Sequence, residues 1–177
     1  MLNSPKTHVT GVLCHGHNLA WPFIDLLRWP ADTSPTINIL LTVLRDIVLQ
    51  VGSLLQVFYW QMDNCFQDCK KIYILGFCAF LVMAGVFKKV KLSYLLAGHT
   101  HEDVDQMFSR ISESLKKEDA TTCKALRILI NKSYSPYPST VYVDNISDMK
   151  SWIQPYVSTF QHHGSRHVFC HTKNVKG

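Results

Sequence analysis

Apolar positions recur at helical spacing in one clear block of the chain and alternate at strand spacing in two others. In "WPADTSPTINILLTVLRDIVLQ", Ile37, Leu40, Leu41, Leu44, Ile47 and Val48 fall on one helical face, behind Ser34 as N-cap and Pro35 at the first helical position. This predicts an amphipathic helix. After Gly52, "LLQVFYWQMDNC" is apolar on both alternating faces: Leu54, Phe58, Trp60 and Met62 on one, Leu55, Val57 and Tyr59 on the other. That is the pattern of a central strand buried on two sides. "IYILGFCAFLVMAGVF", over 72–87, predicts a buried core helix, because it falls short of the roughly 20 residues that span a bilayer and holds two glycines. "KKVKLSYLLA" then alternates as a second strand, and the segment from Thr100 opens another helix.

The flanks carry weaker signals. "THVTGVLCHGHN" reads as a short strand around Val9 and Val12, followed by a turn. "TTCKALRILINKSY" predicts a helix, "SPYPST" a loop, "VYVDN" a short strand and "SDMKSWIQPYV" a capped helical turn or two. Strand, helix, strand and helix in that order predict an α/β layer with a mixed central sheet flanked by helices. A chain of 177 residues with 47% hydrophobic content supports one sizeable core. The expectation is a single domain over 1–177, with its core at about 8–117 and an extension over about 118–177.

Charge and cysteine content change this picture little. The net charge of +5 comes from 18 basic and 13 acidic residues, with lysines gathered at Lys70 and Lys71, at Lys88, Lys89 and Lys91, and at Lys116 and Lys117. That tilts only weakly toward phosphate-rich partners. Six cysteines without an apolar signal segment argue against a secreted disulfide framework and for reduced thiols inside a cell. No Gly-rich phosphate loop and no Ser, His and Asp grouping stands out. The Cys and His residues of "CHGH" at 14–17 and "HHGSRHVFCH" at 162–171 lack the paired spacing of zinc modules, and Cys65 and Cys69 read as small core residues.

Candidate chemistry concentrates in "LLAGHTHEDVDQMFSRIS", residues 95–112. With Thr100 as helix cap, His101, Glu102 and Asp103 occupy the first turn, where free N–H groups and the dipole favour acceptors and negative charge. That accounts for Glu102 and Asp103 but not for Asp105. On a helical wheel His101 and Asp105 share one edge of the stripe made by Val104, Met107, Phe108, Ile111 and Leu115. A carboxylate and an imidazole one turn apart, facing inward beside the core, make half of a metal site, and His99 could add a ligand. Asp63, at the end of the predicted central strand, supplies the other half. Strand ends in open α/β sheets are where ligands bind, and Mg²⁺ or Mn²⁺ suits oxygen donors. Asp63 followed by Asn64 also makes a good turn, which is the plain structural alternative. A shared site requires the Asp63 and Asp105 carboxylates within about 8 Å, given ligand distances near 2.1 Å and metal separations near 4 Å.

At these residues the chain resembles a known family. "QMDNC", an apolar helix and then "VKLSYLLAGHTHEDVDQMFSRISESL" resemble an uncharacterised, transposon-associated domain of unknown function widespread in invertebrate genomes. Its pattern is DNC, then ENKN, then GHTHEDIDQxFSRIS. The likeness extends to "TGVLCHG", "WPADTSPTINIL" and, loosely, "DMKSWIQP", so it covers most of the chain. Its members resemble ribonuclease H-like transposases, in which three acids hold two metal ions for phosphodiester chemistry. The resemblance implies an incomplete ribonuclease H-like three-layer fold, Asp63 and Asp105 as catalytic acids, His99 and His101 as further metal ligands, and DNA as partner in a nuclear setting. Some relatives carry lysine where this chain has His101, which makes His99 and Asp105 the firmer carry-overs. The family's first acid lies on a strand upstream of "GVLCHG", for which this sequence has no room, and "QDCKK" stands where relatives show ENKN. Both departures imply a truncated or decayed copy.

Three rival readings compete with this one. GHTH is also the metal-binding tail of calcineurin-like metallophosphoesterases, but their upstream DxH, GDxxD and GNHD elements are missing. HTHEDV approximates the metallo-β-lactamase HxHxDH motif, with Val104 where a histidine is required. The third reading is a domesticated, non-catalytic module that binds nucleic acid or protein.

Overall fold

The computed structural model describes residues 6–30, 32–62, 68–95, 103–135, 138–157 and 168–172, with backbone alone for 68–71. Among these residues the protein is mixed α/β, with two three-stranded mixed sheets and five α-helices. The chain divides into two compact units, the first made of Met1–Pro30 with Thr100–Asn145 and the second of Ala31–His99 with Ile146–Gly177.

In the first unit, β1 (His8–Cys14) turns through a short 3-10 segment, His15–His17, into β2 (Leu19–Asp25), its antiparallel partner. The reversal needs Asn18 in the left-handed region at φ 52°, a conformation that asparagine tolerates better than most residues. β2 was not expected from sequence, because Pro22 interrupts "LAWPFID". The proline is tolerated because the ladder to the parallel strand β5 (Val141–Tyr142) begins at Phe23, so no bond is required of the N–H that Pro22 lacks. Two helices complete this unit, α3 (Asp103–Leu115) and α4 (Cys123–Ser133), the latter capped by Thr122, whose hydroxyl accepts from the Ala125 N–H at 3.1 Å. Ala20, Ile24, Met107, Ile111 and Ile130 form the core. Gly11 lets α3 approach β1. A Cβ there would collide with Met107 Cε and sit 3.2 Å from Val104 Cγ1 and 3.3 Å from Phe108 Cε2.

In the second unit, α1 (Thr33–Val51) is long and apolar enough by composition to cross a membrane, with mean hydropathy 1.2. It directs Ile37, Leu40 and Leu44 into the core of this unit. Its N-cap is Asp32, whose carboxylate accepts from the Ser34 N–H at 2.8 Å, rather than Ser34 as expected. The Ser34 hydroxyl instead accepts from the Lys150 N–H at 3.1 Å. One turn on, Asn38 binds Ser147 through both ends of its amide, donating to the carbonyl at 2.9 Å and accepting from the N–H at 3.1 Å. These bonds dock the start of α5 (Met149–Val157) against α1. Asp148 caps α5 by accepting from the Ser151 N–H at 3.0 Å, and hydrogen bonding to Ser151 holds its carboxyl below the usual carboxylate range.

β3 (Val57–Met62), α2 (Asp68–Met83) and β4 (Lys89–Tyr94) follow the expected order, and β3 and β4 are parallel. β6 (Val168–Thr172) adds antiparallel to β4 and was not foreseen. Two expectations need correction. The described strands form two sheets where one mixed central sheet was expected. Furthermore, β3 pairs only with β4 among the described strands and exposes Val57, Tyr59 and Gln61, so it is an edge strand with one open face. Its apolar outer face misled the sequence reading. Tyr59 remains 67% exposed, with Lys91 Nζ 5.1 Å from its ring centroid.

Candidate functional site

Parallel pairing between β3 and β4 brings the C-terminal ends of both strands to one edge of the second unit, where Met62 is the register partner of Tyr94. The Leu95 N–H donates to the Met62 carbonyl at 3.0 Å, which carries the alignment one residue past the strand. Asp63 follows Met62 in sequence, and His99 follows Leu95 by four residues. The side chains of Asp63, His99 and His101 lie outside the described residues.

The titratable groups behind this edge are buried and neutral. Cys78, on α2, is fully buried, and desolvation pushes its thiol up to about 12. Tyr94 ends β4 with its ring edge-on to Phe169 at 6.3 Å, and desolvation first, then the nearby Cys78, raises its hydroxyl above the usual phenol range. Neither can act as a base or thiolate ligand near neutral pH. Any acid, base or ligand chemistry at this edge must come from residues past the strand ends.

Asp105 sits in the first turn of α3 and is exposed, contrary to the expectation that it faces inward. The buried line of α3 runs through Met107 and Ile111, and Asp105 stands about 200° round the helix from Met107, two residues at about 100° each. Asp103, in the same turn, places Oδ2 3.7 Å from His15 Nδ1, with both side chains exposed. This contact is water-screened and weak. Among the described residues no group of three or more His, Cys, Asp or Glu side chains is arranged to hold a metal ion. The four described cysteines, Cys14, Cys78, Cys123 and Cys170, are free thiols, whereas Cys65 lies outside the described residues, as does the Cys69 side chain.

A family profile for a domain of unknown function matches residues 2–177, nearly the whole chain. The chain belongs to the DUF7869 family. An uncharacterised domain spanning the sequence was the coarse expectation, and membership bears it out. Comparison of this DUF7869 chain with curated proteins and with solved structures gives no match.

Sequence reading also passed over one polar cluster of the DUF7869 fold. Lys124, Arg127 and Asn131 share a face of α4 and meet Tyr142 of β5. The signal was present in their spacing of three and four residues, but nothing in the sequence places Tyr142 against that face.

Proposed function

We propose that this DUF7869 chain is a transposase-derived, ribonuclease H-like domain that keeps a remnant site for metal-dependent phosphodiester chemistry on DNA in a nuclear setting. Asp63 and His99, which follow the strand ends of the second unit in sequence, are its candidate ligands, and Mg²⁺ or Mn²⁺ its ion. The observation that carries this reading is the parallel β3–α2–β4 arrangement with Met62 and Tyr94 in register at one edge. Ligands of open α/β sheets bind beyond such strand ends, and the sequence puts a carboxylate directly after β3 and an imidazole shortly after β4. The carboxylate fits the ion, because carboxylate oxygens suit both Mg²⁺ and Mn²⁺.

When bound, such an ion activates water or a 3′-hydroxyl and neutralises charge at the phosphate. Asp63 would hold it. His99 would orient it or carry a proton from the attacking hydroxyl, since imidazole titrates near neutral pH. Cys78 and Tyr94 stay protonated and do not compete for the ion.

The test incubates full-length protein with supercoiled plasmid and Mn²⁺. Nicking that Asp63→Asn and His99→Ala each abolish is expected; nicking unchanged in Asp63→Asn would refute the assignment. The exposure of Asp105 on α3 favours a second reading, a non-catalytic nucleic-acid-binding module. That reading requires DNA binding in EDTA, no nicking, and a melting temperature insensitive to Mn²⁺, because an ion bound only to the folded state must raise it.

A further inference from the structure

Between α4 and β5 in the first unit lies a groove of about 500 Å³, lined by Lys124, Arg127, Ile128, Asn131 and Tyr142. The four helical residues fall at i, i+3, i+4 and i+7 and share one face of α4. No acidic side chain is among them.

An unremarkable solvated helix face would leave these groups unattached, whereas here three of them are held. Arg127 stands over Tyr142, with its guanidinium carbon 5.6 Å from the ring centroid. The Tyr142 hydroxyl donates to the Cys123 carbonyl at 2.9 Å and fixes the ring against the start of the helix. The Thr140 hydroxyl donates to Asn131 Oδ1 at 2.5 Å, which occupies the acceptor end of that amide and leaves its nitrogen as a donor. The groove thus offers two cations and an amide donor beside an aromatic ring and the exposed Ile128. Donors without a competing carboxylate suit an anion, a planar guanidinium suits phosphate oxygens, and the apolar wall suits a flat group joined to that anion.

We propose that this groove binds a nucleoside phosphate, either free or as a nucleotide of a single strand. Arg127 and Lys124 contact the phosphate, Asn131 donates to the sugar or phosphate, and the base lies against Ile128 and Tyr142. None of Asp63, His99, His101 and Asp105 takes part, so the groove and the metal-dependent reading fail independently.

The experiment titrates the full chain in EDTA with fluorescein-labelled oligo(dT) by anisotropy and with AMP by calorimetry. The variants are Arg127→Gln and Asn131→Asp, with Lys117→Gln as a control that removes one exposed charge from the same unit. Arg127→Gln and Asn131→Asp are expected to weaken binding about tenfold, the worth of one charged hydrogen bond, and Lys117→Gln by less than about twofold. Binding of AMP alone assigns a free nucleotide; oligo(dT) binding that AMP displaces assigns the strand. Wild-type protein that binds neither probe overturns the proposal. Equal losses in Arg127→Gln and Lys117→Gln also overturn it, since they would mean diffuse charge attraction. Arg127 is exposed, and a circular-dichroism melt confirms that each variant is folded.

Discussion

Replacing Gly76 by alanine tests the packing of α5 against α2. Gly76 lies mid-way along α2 where α5 crosses it. A Cβ on Gly76 would collide with Val157 Cγ1 and stand 3.0 Å from Ile153 Cγ2. Two effects oppose each other. Alanine is favoured over glycine inside a helix by about 1 kcal/mol. Against that, both neighbours are β-branched and nearly fixed at χ1, so neither can swing aside, and overpacking of a fitted core costs about 1–3 kcal/mol. The clash prevails, and Gly76→Ala should destabilise by about 1 kcal/mol net, lowering the melting temperature by roughly 2–4 °C for a chain of this size. Val157→Ala removes the colliding methyl, and in that background Gly76→Ala should become neutral or stabilising by up to about 1 kcal/mol. Urea denaturation followed by circular dichroism on the four proteins of this cycle measures the coupling, expected at about 1–2 kcal/mol. If Gly76→Ala stabilises the parent protein, or has the same effect in both backgrounds, α2 and α5 are not packed through this contact.

Two further outcomes follow from buried titratable groups. His171, opposite Val90 in β6, has its Nε2 buried without a hydrogen-bond partner among the described residues, and desolvation lowers its pKa below 6.5. As pH falls the unfolded chain takes up the proton first, so stability should fall from about pH 6.5 down to the folded-state pKa. Denaturation midpoints at pH 7.5 and 5 should differ more for the parent than for His171→Gln; equal differences would show that the imidazole is not buried as described. For Cys78, a thiol at about 12 has a thiolate fraction at pH 8 on the order of a thousandfold below that of a free cysteine. Iodoacetamide with peptide mapping should label the exposed Cys170 in the native protein and Cys78 only after denaturation, and comparable native labelling rates would contradict the burial.

Local periodicity made α1 and the β3–α2–β4 order legible, because a helical stripe or an alternating run is fixed by the residues within it. The same information misassigned β3. Val57 and Tyr59 have the composition of a buried face, yet whether a face is covered depends on what lies against it, and here Lys91 packs over Tyr59 from the neighbouring strand. The cap of α1 moved from Ser34 to Asp32 because Ser34 is taken up by Lys150, over a hundred residues away. β2 escaped notice because Pro22 suppresses the local signal, and β6 because Cys170 and His171 read as ligand types, whereas the pairing that makes them strands is non-local. Within the candidate site, the sequence by itself supplied Asp63, His99, His101 and Asp105 as chemistry. Tertiary structure decided what no spacing encodes: that Met62 and Tyr94 end in register, that Asp105 turns to solvent while Met107 and Ile111 take the core, and that Tyr142 meets Arg127. Residue type sets what a group can do, but burial and neighbours, which come from distant parts of the chain, set whether it can do it.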